Sequence, residues 1–251
     1  NQLINFLFVL MSRFKNLQKQ LGFFKAMSFY HKIKSGNLSN LQTCNLAQPF
    51  NLRNNPFDYA TFEEVILKEA YNIPLGFEPT YIIDGGGNIG LTACFFATKF
   101  PKATIVTIEP DTENYNLLQL NCKSYANIHT LQCGIWNSNT HLRIENTRVG
   151  NNAFTVTETN EAGVDTIKAL TVLSVMEQFN MPHIDVLKLD IEGSEKEVFE
   201  ENFEKWLPLT KVLIIELHDE MKKGCSRSDF NAVNKYDFSF NTKGENIIFT
   251  N

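Results

Sequence analysis

Asp84-Gly85-Gly86-Gly87-Asn88-Ile89-Gly90 separates a strand-like run, Tyr81-Ile82-Ile83, from a helix-like run, Leu91 to Phe100. A strand, a glycine bend and a helix N-terminus form a cradle for a nucleotide-containing cofactor, because backbone without a Cβ can approach a ligand closely. Gly85, Gly87 and Gly90 also satisfy the dinucleotide spacing G-x-G-x-x-G, a weak pattern by itself. Asp84, heading the bend, discriminates between cofactors. A carboxylate aimed into the pocket repels a pyrophosphate and attracts a ligand carrying an ammonium and a sulfonium. S-adenosylmethionine is therefore favoured over a nicotinamide dinucleotide; a competing role for Asp84 is to cap the glycine turn.

The next buried strand, Ala103 to Ile108, ends in Glu109-Pro110-Asp111. Glu109 lies nineteen residues past Gly90, the distance at which an acid meets ribose hydroxyls in this architecture. Asp111 or Thr112 is a cap for the helix that follows. Strand and helix patterns alternate from there: strand 81–84, helix 90–100, strand 103–109, helix 112–125 and a strand over Ile128 to Cys133. Such alternation predicts βαβ units in a doubly wound, mostly parallel α/β sheet of Rossmann-like type. Thr61 to Tyr71 reads as a helix, with Thr61 and Glu64 forming a capping box.

Residues 136–171 lose the helical pattern. Short strands at His141 to Ile144, Phe154 to Thr157 and Thr166-Ile167, with Gly150-Asn151-Asn152 as a turn, predict a β-rich excursion for substrate recognition or a lid. Helix resumes at Val172 to Phe179. The strand Ile184 to Asp190 ends in Ile191-Glu192-Gly193-Ser194-Glu195, and Lys211 to Leu217 ends in His218-Asp219. Ser194 with Glu197 reads as a second capping box. Tyr236 to Phe240 and Asn246 to Thr250 predict a closing antiparallel hairpin, the usual end of class I methyltransferases. Because ligands bind outside the carboxyl ends of strands, Asp84, Glu109, Asp190 and Glu192 are expected to face one crevice. His218 is a candidate base, its ordinary pKa suiting neutral pH; Glu192 is the better carboxylate base, and Asp190 contacts the cofactor or the acceptor.

Charge is divided unevenly. The first 57 residues contain seven Lys and Arg and no Asp or Glu, leaving 16 basic against 28 acidic residues in the remainder. An acidic body argues against a nucleic-acid substrate. Leu3, Leu7, Leu10, Phe14, Leu17, Leu21 and Phe24 recur at helical spacing in the basic leader. Residues 1–44 are read as an amphipathic helical segment that packs on the domain, lies on a membrane surface through residues 1–35, or oligomerises. Residues 45–251 are the catalytic domain. Five cysteines without a C-x-x-C pair indicate neither a disulfide framework nor a zinc site, so a reducing, cytoplasmic location is expected.

The glycine loop, Glu109-Pro110-Asp111 with Asn114, and above all Ile184-Asp-Val-Leu-Lys-Leu-Asp-Ile-Glu-Gly-Ser-Glu195 resemble the FkbM family of S-adenosylmethionine-dependent methyltransferases. The resemblance runs from about Arg53 to the C-terminus; Gly85 and Gly87 replace the Val and Ala usual in the family's loop. It implies O-methylation of a hydroxyl on a polysaccharide, glycolipid or secondary metabolite, without a metal. Carried onto this sequence, it implies a cofactor loop of Asp84, Gly85, Gly86, Gly87, Asn88 and Gly90, a ribose acid at Glu109 with Pro110 and Asn114 as further cofactor contacts, and a second carboxylate site at Asp190 with Glu192. Cys133-Gly134 follow the third strand, where adenine lies in this fold. Three rival readings are a nicotinamide-dependent oxidoreductase, a metal-assisted methyltransferase holding Mg²⁺ on Asp190 and Glu192, and a non-catalytic cofactor-binding scaffold.

Overall fold

The structure, a computed structural model, describes residues 14, 17–18, 21–36, 38–146, 155–159, 163 and 166–251. Its centre is a seven-stranded sheet. Five strands are parallel: β1 (Tyr81–Gly85), β2 (Thr104–Ile108), β3 (Ile128–Leu131), β8 (Ile184–Leu189) and β9 (Thr210–Ile215). The antiparallel hairpin of β10 (Ser239–Lys243) and β11 (Asn246–Thr250) closes the β9 edge, giving the order β10-β11-β9-β8-β1-β2-β3. This is the expected doubly wound α/β sheet with its terminal hairpin.

Period-two alternation builds two cores from these strands. Ile82, Ile105, Val186, Val212 and Ile214 face one apolar cluster, while Ile83, Val106, Leu187, Leu213 and Ile215 face the other. Helix α3 (Leu91–Lys99) is buried along nearly its whole length beneath the first face. Helix α4 (Thr112–Cys122) starts at Asp111, whose carboxylate accepts from Asn114 N at 2.8 Å. Register then positions the site. Gly85 pairs with both Ile108 and Leu189, and Leu189 pairs with Ile215. The next residue along each strand (Gly86, Glu109, Asp190 and Glu216) therefore falls in one row at the carboxyl edge.

A second sheet, β4-β7-β5-β6, comprises β4 (Gly134–Ile135), β5 (Thr140–Asn146), β6 (Thr155–Thr159) and β7 (Thr166–Leu170). It corrects one expectation: the strand read as Ile128 to Cys133 stops at Leu131, and Gly134-Ile135 crosses to pair with Ala169 and Leu170. The turn expected at Gly150-Asn151-Asn152 lies outside the described residues. Helix α5 (Val172–Gln178) is capped by Thr171, whose hydroxyl accepts from Ser174 N.

Both capping boxes are corrected. Helix α2 spans Pro56–Phe62 with Asn55 as its cap, and it widens into a π-helical turn at Glu63–Leu67. Pro56 pre-sets the first helical turn, which moves the start five residues ahead of Thr61. At α6 (Glu195–Glu200), Ser194 makes no side-chain cap and Glu197 pairs with Lys222 instead. Helix α7 (Cys225–Val233) was not anticipated; its short polar stretch carries few apolar residues at helical spacing.

In the basic leader, Gly22 adopts φ 76° and breaks the expected continuous helix before α1 (Phe23–Lys34). Leu17, Leu21, Ala26 and Phe29 are buried in the same cluster as Phe62 and Phe96, and Phe29 stacks on Phe62 at 5.0 Å. Phe24, read as part of the apolar stripe, is 86% exposed. Leu3, Leu7 and Leu10 lie outside the described residues. No helix among the described residues is long and apolar enough to cross a membrane.

Candidate active site

A cleft opens along the carboxyl edge, lined by Gly86, Asn88, Ile108, Glu109, Pro110, Asn114, Cys133, Gly134, Ile135, Leu142, Ile167, Asp190, Ile191, Glu192 and Ser194. Its empty space, counted out to open solvent, is about 810 Å³. Eight of the residues assigned from sequence to the cofactor (Gly86, Asn88, Glu109, Pro110, Asn114, Cys133, Gly134 and Asp190) meet on this wall, joined by Glu192.

Only one glycine of the loop is needed for backbone approach at this edge. Gly86 has φ +76°, and a Cβ there would lie 1.7 Å from the carbonyl oxygen of Asp190. Gly85, Gly87 and Gly90, also assigned to the cofactor, do not line the cleft and are packed against the protein. A Cβ on Gly85 would strike Ile135 and Leu189, one on Gly87 would strike Thr107 and Leu118, and one on Gly90 would crowd Cys122 and Leu118. Gly86 N and Gly87 N both donate to Ile108 O, which folds the bend over β2.

Asp84 is also corrected. Its carboxylate is wholly buried beneath the bend and does not line the cleft. Oδ2 accepts from Thr107 Oγ1 at 2.8 Å, and Oδ1 lies 3.5 Å from Lys188 Nζ. The balancing cation is thus a lysine within the sheet. Lys188 also donates to Gly86 O at 2.7 Å and Gly85 O at 3.2 Å, and it lies 3.5 Å from Asp190 Oδ2. Burial opposes its charge, yet Asp190, Asp84 and Glu64 overcome this and hold its pKa above the ordinary value. One buried ammonium fastens the loop to the β8 carboxylate.

At the other strand end, Glu109 accepts from Asn88 N at 2.8 Å and Asp111 N at 3.0 Å. Burial raises its pKa to about 7 against these two donors. Asn88 takes φ 48°, a conformation Asn tolerates, which turns its N–H toward Glu109. Asn114 Oδ1 accepts from Arg53, whose guanidinium is paired with Asp58. Burial pushes the Cys133 thiol up to about 11, so it remains a neutral, apolar wall.

The opposite end is crowded with charge. His218, 6% exposed, bonds through Nδ1 to Glu195 Oε1 at 3.1 Å. Its Nε2 lies 3.7 Å from carboxylate oxygens of Asp190, Glu192 and Glu216. Burial alone would discharge this ring, but Glu195, Glu192 and Asp190 raise its pKa to about 9. The neutral-pH base expected at His218 is therefore an imidazolium. Its expected neighbour Asp219 turns away to cap α7 through Gly224 N and Ser226. Burial and the nearby Asp190 raise Glu192 to about 8 and Glu216 to about 7. Glu64, hydrogen-bonded by Tyr71, is raised by burial and by Asp190. Glu195 also accepts from Ile191 N and Gly193 N, holding Glu192 between them at φ 55°. Asp190, Glu216 and His218 offer donor atoms within 4.8 Å of one another, a spacing open to a cation. The imidazolium itself, however, already supplies positive charge at that point.

The family profile described as "Methyltransferase FkbM domain" matches residues 84–241, more than half of the chain. The chain belongs to the FkbM methyltransferase family. It is 24% identical over 192 residues to "Methyltransferase 1" of Beauveria bassiana, covering 67% of this chain and 74% of that protein. It is 28% identical over 142 residues to the "Hexuronic acid methyltransferase AglP" of Haloferax volcanii, covering 56% and 57% respectively. Among solved structures, Aeropyrum pernix fibrillarin with natively bound S-adenosyl-L-methionine aligns at 12% identity and TM-score 0.41, over 76% of this chain and 74% of that one.

S-adenosylmethionine is the methyl donor of FkbM methyltransferases, and the oxidoreductase reading falls with the family match. The cleft fits this donor on its own chemistry. Gly86 leaves room that a Cβ would fill, and among the described residues the lining includes carboxylates but no Lys or Arg to meet a pyrophosphate. That lining takes over the argument first placed on Asp84. In this FkbM methyltransferase, sequence reading missed Lys188, Glu195, Glu216 and the Glu64–Tyr71 pair. A signal existed for Lys188: it is a charged residue in the middle of an otherwise apolar buried strand end.

Proposed function

We propose that this chain is an O-methyltransferase acting on a hydroxyl of a glycan, glycolipid or secondary metabolite. The observation that carries the reading is the cluster at the cleft's charged end. A carboxylate there, Glu192, has a pKa of about 8 beside a histidine held charged. A hydroxyl is a poor nucleophile until its proton is removed, and a base titrating near the working pH removes it best. The Haloferax volcanii relative is named for a hexuronic acid, which supports a sugar ring as the acceptor's scaffold and not its charge.

In this reading Gly86 and Asn88 hold the donor's chain, Glu109 receives its ribose, and Cys133, Gly134 and Ile135 form the adenine wall. Asp190 meets the methionyl portion. Bound there, S-adenosylmethionine supplies a methyl group activated on a sulfonium. Glu192 accepts the acceptor's hydroxyl proton, and Glu195 keeps both Glu192 and His218 in place. His218, as imidazolium, lowers the negative potential around Glu192 so that its ionised form is populated.

Glu192→Gln tests this assignment, since the amide keeps the shape and cannot take a proton. Turnover with tritiated-methyl donor should fall by roughly 10²–10⁴-fold, the span attributed to general base catalysis. Donor affinity by isothermal titration should stay within about threefold. A large loss of affinity would instead make Glu192 a binding residue.

A further inference from the structure

We infer that the acceptor is a neutral or positively charged hydroxyl compound, and that hydroxyl compounds bearing a carboxylate or phosphate are rejected by charge. This rests on the O-methyl reading above.

Carboxyl groups reach the charged end from four directions: Glu64 from the π turn, Asp190 and Glu192 from the end of β8, Glu216 from the end of β9, and Glu195 from α6. Two cations stand among them. Lys188 is fully enclosed and directs its ammonium at the glycine carbonyls. His218 is tied to Glu195, with three more carboxylates about its free nitrogen at 3.7 Å. Neither leaves a positive group facing an incoming acceptor. The donor contributes one net positive charge, its ammonium and sulfonium exceeding its carboxylate by one. Lys188 is already matched by Asp84, and above about pH 8, where Glu192 and Glu216 have lost their protons, the remaining carboxylates outnumber His218 and that donor.

An acceptor anion therefore meets repulsion, and among the described residues the cleft lining offers no Lys, Arg or His to receive it. At the separations of one acceptor ring, a like charge in a partly desolvated cleft disfavours binding by at least about tenfold. A sugar hydroxyl, an inositol or an amino sugar meets only acceptors for its O–H and N–H groups. The charge pattern thus selects unoxidised polyols.

The test uses the full chain, tritiated-methyl donor and three matched pairs: methyl hexoside with methyl hexuronoside, inositol with inositol phosphate, and a long-chain diol with the corresponding hydroxy fatty acid. A methyl 2-amino-hexoside joins the first pair. Within the pair that is turned over, kcat/KM should favour the uncharged or amino member by at least about tenfold. Glu64→Gln and 0.5 M salt should each narrow the ratio by about threefold. Equal use of both members, or preference for the anion, overturns the inference while leaving O-methylation standing. Absence of transfer to every member, with donor binding intact by titration, removes the O-methyl reading and this inference with it.

Discussion

The two ends of the cleft solve opposite problems. Around Glu109 the polar groups are matched: its oxygens accept two backbone N–H groups, and the surrounding wall of Cys133, Gly134 and Ile135 is uncharged. Around His218 they are mismatched. Four carboxyl groups crowd one imidazole, and two of them, Glu192 and Glu216, are raised by burial and by Asp190 above the ordinary carboxylate range. On the assignment proposed above, the first end is built for fit, which a fixed cofactor requires. The second holds protons near their point of release, as proton transfer requires. Mutations should therefore act on affinity at one end and on rate and pH at the other.

The strongest way to break that division is Gly86→Ala. The new Cβ would collide with the Asp190 carbonyl at 1.7 Å, on a backbone with φ +76°. Donor affinity should fall by more than a hundredfold, read by titration. The control is Gly163→Ala, outside the cleft lining, whose Cβ meets Thr166 at an ordinary 3.8 Å and should change affinity by less than about threefold. Lys188→Met comes next, because Lys188 joins both ends. Breaking a buried ion pair from one side destabilises by about 3–5 kcal/mol. Melting temperature should drop by many degrees, and a drop of less than about 3 °C would show that the ammonium is dispensable.

A pH profile sharpens the comparison without changing fold. Glu192 must lose its proton, so kcat/KM should rise as pH approaches about 8. His218 must keep its proton, so the rate should fall above about 9. A narrow alkaline optimum between these limbs follows, belonging to the coupled cluster as a whole. Glu195→Gln removes the hydrogen-bonded carboxylate that does most to keep the ring charged. The upper limb should then move to lower pH. Donor affinity across the same range should vary far less, and a matching bell in affinity would erase the distinction between the ends.

Legibility followed the same line. The fitted end was readable because its residues adjoin strand ends in sequence: the glycine bend, Glu109-Pro110 and Cys133-Gly134 each announce themselves locally. The charged end depends on partners far apart in the chain. Asp84 was misread because Lys188, which neutralises it, lies on another strand, paired by register alone. Glu195 looked like an ordinary residue of a helix start; only folding brings His218 to it. Glu64 was read as the capping-box partner of Thr61, because the π turn that moves it toward the site has no sequence period of its own.

The smallest effect expected is also the most diagnostic of stored repulsion. Asp229 on α7 is fully enclosed, and among the described residues neither of its oxygens has a hydrogen-bond partner. Burial, with a further contribution from Glu195, raises its pKa to about 8. A raised carboxyl pKa means that the folded state holds the proton more tightly than the unfolded chain does. Its stabilising effect is complete below the unfolded value near 4 and is lost as pH climbs through about 8. Asp229→Asn removes that titration. Stability should gain less at pH 5 than at pH 8, where a gain of about 1–2 kcal/mol or more is expected, some 2–8 °C in melting temperature for a chain of this size. Glu109→Gln supplies the contrast, because Glu109 is also raised but its two donors are satisfied. That change should destabilise at both pH values. A gain at pH 8 from Glu109→Gln, or none from Asp229→Asn, would mean that repulsion is shared across the whole cleft.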